Sequence, residues 1–220
     1  MKRRDVLSVI GSGAAVGLAG CATSGGTTVR TDDTTTAPPA PRMMSIESVE
    51  TIADEYNLEA DVELLNAVID RTQTAEIRVS VRNTGPKRGI SVVGGATCDL
   101  FDRDAARSDD PPGLWLFRSD RSRELDRKPG RWVQDYPQDR VRGFNGYGCG
   151  LKVYSPGETV AHDYEIWDDY RVDGYLLPGT YRWQEEIEIG EEFSEDEAYS
   201  YDDVDATVSW GFSISMEKEK

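Results

Sequence analysis

Residues able to do acid–base, nucleophilic or metal chemistry are scarce in this chain, carboxylates excepted. There is one histidine, His162, and there are three cysteines, Cys21, Cys98 and Cys149, beside 41 Asp and Glu. His162 lies in phase with Val160, Tyr164 and Ile166. Alternation therefore points it inward, where a single histidine is more often a hydrogen-bonded core residue than a catalyst. A zinc site asks for four ligands, and this set supplies them poorly. The chain holds no Gly-x-Ser-x-Gly elbow and no phosphate-cradling glycine loop. Carboxylate pairs of the glycosidase kind carry no information where carboxylates are so many. The expectation is no catalytic residue, no metal, no cofactor and no enzyme.

Two charge runs and one misplaced acid remain. Residues 185–205 hold eleven acids and no base; their spacing matches no EF-hand loop, so a solvated acidic loop is expected. Glu185 falls on the apolar phase of Tyr181, Trp183, Ile187 and Ile189. Either a bulge at Gln184–Glu186 turns it outward, the preferred reading, or it is buried and needs a partner. The opposite charge gathers in "RSDRSRELDRKPGR", where Arg118, Arg121, Arg123, Arg127, Lys128 and Arg131 stand against three acids. Three readings fit it: a flexible exposed insertion, an internal counterpart to the acidic run, or a docking patch for an anionic partner such as a surface polysaccharide.

The chain begins with a basic head, Lys2, Arg3 and Arg4, followed by the mostly apolar run Val6 to Ala19 and then "LAGC". That is the layout of a secretory leader. Fourteen positions fall short of the ~20 a membrane span needs. Arg3 and Arg4 resemble a twin-arginine export signal, and Leu18 to Cys21 resemble a lipobox. The resemblance implies a signal peptide at 1–20, export, and a lipid on the Cys21 sulfur. Each buried lipid CH₂ contributes about 0.8 kcal/mol, so two chains anchor durably where one does not. The expected location is the extracellular face of the cell membrane.

Removing the leader takes away three of the 25 bases and one of the 41 acids, leaving 22 against 40, or −18. Nucleic acid and anionic lipid headgroups are disfavoured as partners over most of such a surface. Only six of the bases are lysine, and this acidic, lysine-poor balance resembles proteins of salt-loving archaea. Cys98 and Cys149 are left in an oxidising setting and are expected to pair, closing a loop of about fifty residues. In the chain-entropy model that is worth about 3 to 4 kcal/mol.

The elements that must position these residues follow from periodicity. Residues 21–42 are a Thr/Pro-rich run without apolar period, predicting a disordered tether. Ile46, Val49, Ile52, Ala53 and Tyr56 behind Ser45 predict a short helix within 43–57. From Leu58 onward the period is two, in "LEADVEL", "AEIRVSVRN", "ISVVGGATCDLF", "YGCGLKV", "TVAHDYEIW", "TYRWQEEIEI" and "ATVSWGFSISM". The cysteines fall on the apolar sides of the third and fourth. About seven such strands predict an all-β chain, an immunoglobulin-like antiparallel sandwich over 58–217 with an insertion at 119–146. An antiparallel barrel is the alternative.

The order "VRNTG", "GGATCDLFDRD", "LWLFRS", "SPGETVAHDYEIWD" and "LPGTYRW" resembles proteinase inhibitor domains of the BsuPI type, which are small immunoglobulin-like sandwiches. The resemblance runs from about Leu58 to Met216 and carries a fold but no inhibitory residue. Together these features predict a non-catalytic lipid-anchored surface domain for binding or envelope structure, with an unknown protein or polysaccharide partner. The alternative is a surface proteinase inhibitor.

Overall fold

Val, Ile, Trp and Tyr recur at every second position, which suits a pleated, half-buried surface, and the computed structural model is built almost entirely of strands. It describes residues 40–91, 100–101, 106–140, 152–190 and 204–218. All of them belong to one unit, Ala37–Lys220. The strands are β1 (Arg42–Val49), β2 (Leu58–Asn66), β3 (Val68–Ile69), β4 (Glu76–Asn83), β5 (Arg88–Ile90), β6 (Leu114–Arg118), β7 (Lys152–Tyr154), β8 (Thr159–Asp168), β9 (Gly179–Gly190) and β10 (Val204–Lys218). They form a six-stranded sheet, β3-β1-β10-β9-β5-β7, and a four-stranded sheet, β2-β4-β8-β6. The pairings within both sheets are antiparallel. Two sheets, rather than one closed barrel, enclose the core.

Inner faces meet as alternation requires. Ile77, Val79 and Val81 of β4 and Tyr164 and Ile166 of β8 oppose Trp183 and Ile187 of β9 and Trp210, Phe212 and Ile214 of β10, all buried. Phe101 lies among Tyr164, Trp210 and Phe212, with ring centroids 6.5, 6.1 and 5.3 Å away. Residues 106–110 cross from one sheet to the other. The Leu116 N–H donates to the Ala106 carbonyl and Ser108 N–H to that of Leu114; Asp109 N–H then donates to Arg182 on β9.

The expected helix is instead a strand. Arg42–Val49 pairs along β10, and only Asp54–Tyr56 forms a single 3-10 turn. The register shifts between Ile46 and Ser48. The bulge inserts Glu47, so Ile46 opposite Ile214 and Val49 opposite Phe212 share the inward face despite standing three apart. That spacing imitated a helical period. Among the described residues no helix is long and apolar enough to cross a membrane.

Candidate binding surface

Sheet alternation sends a second set of aromatics the other way. Trp115 and Phe117 of β6 and Trp167 of β8 alternate with Leu114, Leu116 and Ile166, which face the core, so they project from the outer side of the four-stranded sheet. There Trp132 of the insertion packs on Trp167, while Tyr170 and Arg107 lie against Trp115. Trp132 meets Trp167 at 5.8 Å, Phe117 meets Trp167 at 5.1 Å, and Tyr170 joins Trp115 at 5.6 Å and Tyr136 at 5.4 Å. Backbone bonds fasten the layer: Asp168 N–H donates to the Trp132 carbonyl at 2.7 Å. The Trp132 indole donates to the Asp70 carbonyl at 2.6 Å, and its backbone N–H to the Tyr175 hydroxyl at 2.8 Å. Through residue 140 the insertion is fastened to the sheet at Trp132, and its residues 126–130 and 137–140 are exposed.

Within it, "DRKPGRWVQD" folds as a hairpin. Arg127 bridges Gln134, Lys128 N–H donates to the Val133 carbonyl, and Arg131 N–H donates to the Lys128 carbonyl at 3.1 Å. Pro129 followed by Gly130 at φ 69° is the signature of a type II turn, which needs a left-handed residue at its third position. The turn holds its bases over rings. The Arg127 guanidinium lies 3.8 Å from the Trp132 ring centroid and that of Arg131 lies 5.1 Å from Tyr175. Arg127 and Lys128 are exposed, while Arg131, Trp132 and Tyr175 are half-buried.

The six bases of the run do not form one patch. Arg118 stands level with Tyr164 on β8 and Val133 level with Asp168, four residues or about 13 Å apart. Arg118 is gripped by Asp120 through bonds of 3.1 and 2.6 Å. Arg121 precedes the 3-10 turn Ser122–Glu124 and is half-buried; Arg123 on that turn is exposed. Among the described residues, Arg127, Lys128 and Arg131 make no ion pair with a carboxylate.

Two buried acids follow Trp167, and the first of them, Asp168, is bonded to the hairpin through its backbone. Asp168 is 7% exposed and accepts the Leu176 N–H at 2.7 Å. Burial pushes its carboxyl up to about 7, and Asp169 adds to this; the Leu176 bond, Arg131 and Lys128 pull the other way. Burial also raises the Tyr175 phenol. Asp169 pairs with the buried Arg107, whose guanidinium lies 3.6 Å from the Trp115 ring centroid. Neither acid nor the aromatic floor drew notice in the sequence, although "WDDY" puts two acids directly after the outward-facing Trp167.

His162 is half-buried, as its phase predicted, opposite Val79 and 6.5 Å from the Tyr164 ring. It lines a pocket of about 430 Å³ with Arg78, Arg118, Ser119, Asp120 and Asp163. Asp163 holds Arg78 by bonds of 2.7 and 2.9 Å. The pocket wall is therefore zwitterionic, each guanidinium already matched by a carboxylate.

Glu185 overturns the bulge reading. Gln184 pairs Gly211, Glu185 pairs Trp210 and Glu186 pairs Ser209 in unbroken register. The carboxyl thus stays on the inner phase, half-buried, and desolvation pushes it up to about 7, with Glu186 and Asp109 adding to the rise. Among the described residues no group of His, Cys, Asp and Glu gathers closely enough to hold a metal ion. Arg3, Arg4, Cys21, Cys98, Cys149 and residues 191–203 of the acidic run lie outside the described residues. Comparison of the chain with protein families, with characterised proteins and with solved structures finds no match.

Proposed function

We propose that this chain is a non-catalytic binding or envelope-structural domain with an immunoglobulin-like sandwich, exported by its twin-arginine leader and held on the outer face of the cell membrane by lipid on Cys21. One observation carries the binding part. In a chain of formal charge −16, Arg127, Lys128 and Arg131 are gathered on a type II hairpin, with Arg127 over Trp132 and Arg131 over Tyr175. Arginine with Trp and Tyr is the side-chain chemistry enriched where surfaces recognise partners. Holding the bases before a partner arrives lowers the ordering cost of binding.

Fractionation tests the anchored part: the full-length protein should sediment with membranes, and Cys21→Ser should release it to the medium or stall its processing. A Cys21→Ser protein that is normally processed and fully membrane-bound would refute the anchor. Full-length protein should also bind isolated cell envelopes in the presence of detergent, and absence of any such binding would refute the binding role.

The exposed basic hairpin supports a second reading, a BsuPI-like inhibitor of external proteinases. Stoichiometric loss of activity across a panel of secreted proteinases would favour that reading over the first.

A further inference from the structure

We infer that the hairpin of Arg127, Lys128 and Arg131 is a docking site for an anionic polysaccharide, whose carboxylates meet guanidiniums held against Trp132 and Tyr175. The inference rests on the binding role proposed above and names its partner.

The first support is electrostatic. The chain has 41 acids against 25 bases, so a base has many chances of an internal partner. Arg78, Arg118 and Arg182 take theirs from Asp163, Asp120 and Glu50. The three hairpin bases take none among the described residues, although Arg131 and Lys128 lie within electrostatic reach of the buried Asp168. Asp126 and Asp135, the flanking acids, are joined through their backbones at the base of the hairpin, away from its 128–131 turn. The tip is a local cationic site on an anionic body.

Shape selects among anionic partners. An anionic bilayer is broad, and meeting it would bring the acidic remainder of the domain within the ~8 Å Debye length at physiological salt. A single polymer strand can lie across the tip alone. The planar guanidinium grips a carboxylate through two parallel hydrogen bonds, a contact that keeps its geometry when salt has screened longer-range attraction. Trp132 and Tyr175 are half-buried beneath the Arg127 and Arg131 guanidiniums, and hold those planes in place for such a grip.

The test uses the full chain carrying Cys21→Ser, so that no lipid confuses the vesicle arm, and four probes: immobilised polygalacturonate, neutral dextran, phosphatidylglycerol vesicles and polyglutamate. Retention is expected on polygalacturonate and weakly or not at all on the other three. Changing Arg127, Lys128 and Arg131 together to Gln should weaken polygalacturonate binding by about tenfold or more. It should also flatten the dependence of log K on log salt by about 2, from ~0.7 per neutralised charge. Arg82→Gln, an exposed base on the sandwich, should change neither. Should the triple variant melt early, Lys128→Gln carries the test, since that side chain covers neither ring, and it should still weaken binding by roughly threefold.

Unchanged polygalacturonate binding in Lys128→Gln or in a folded triple variant would overturn the inference. So would equal retention on polyglutamate, which would make the partner an acidic protein, or on vesicles, which would make it a membrane. If cell envelopes retain the triple variant as well as they retain the unaltered hairpin, the hairpin is not the site while the binding role stands. If envelopes retain neither, the binding role itself falls.

Discussion

The Glu185 side chain shows how a strand can force an acid where its chemistry does not want to be. Its neighbours Trp183, Ile187 and Trp210 are buried, and the unbroken pairing of β9 with β10 leaves no bulge through which it could turn away. Burial raises this carboxyl from 4.5 to about 7 and Asp168 from 3.8 to about 7. Between those limits the folded state keeps protons that the unfolded state has released, so stability falls as pH rises towards 7 and levels off above it. The opposite trend is usual for carboxylates in ion pairs. Glu185→Gln should raise the melting temperature at pH 8 relative to pH 5. Discounted for the solvent that reaches a half-buried group, the difference is about 1 kcal/mol, or roughly 2–4 °C in Tm. Thermal melts at both pH values check this, and parallel shifts at the two would show that the carboxyl is not desolvated. Asp168 remains in that variant and should preserve part of the slope.

At the scale of elements, β9 and β10 are the spine of the larger sheet, paired from Gly179 with Met216 to Gly190 with Val204. At Gly211 an added Cβ would stand 2.2 Å from the Trp183 carbonyl oxygen. A backbone atom in the middle of a sheet cannot step aside as a side chain end can. Gly211→Ala should therefore destabilise by about 1–3 kcal/mol through overpacking, seen as a lower denaturant midpoint with an unchanged slope. Gly130, at the hairpin turn, has open space around its missing Cβ. There Ala meets only the left-handed backbone cost of roughly 1–2 kcal/mol. The contrast at β1 was harder to read: alternation identifies a strand only while its register is unbroken, and the extra Glu47 resets the phase halfway.

Across the whole molecule the dominant quantity is charge. With −16 on 220 residues, the folded chain repels itself, and repulsion between exposed groups acts over the Debye length, about 30 Å at 0.01 M salt and 3 Å at 1 M. The melting temperature should rise with KCl or NaCl, most steeply below about 1 M, where screening changes fastest. Changing the acids between Glu185 and Asp205 to Gln and Asn should reduce the rise. A melting temperature that stays flat from dilute buffer to molar salt would remove the support for a halophilic surface.

Sequence alone determined the long strands, because a residue's face in a regular strand depends only on whether its number is odd or even. Val79, Val81, Ile187 and Ile214 are buried as that rule demands, and His162 faces inward with them. It also determined that bases concentrate in 118–131. What only the tertiary structure decided are the features that join residues far apart in the chain. Trp132 and Tyr175 lie 43 positions apart and are brought together by one hydrogen bond. Arg107 meets Asp169, and Trp132 covers Trp167, across similar gaps. Composition located the cations, but no local pattern encodes which rings they stack on or which carboxylates they miss. Those depend on the outer face of the smaller sheet needing a cover for Trp115, Phe117 and Trp167, and on Trp132, Tyr170 and Arg107, far apart in the chain, packing there together.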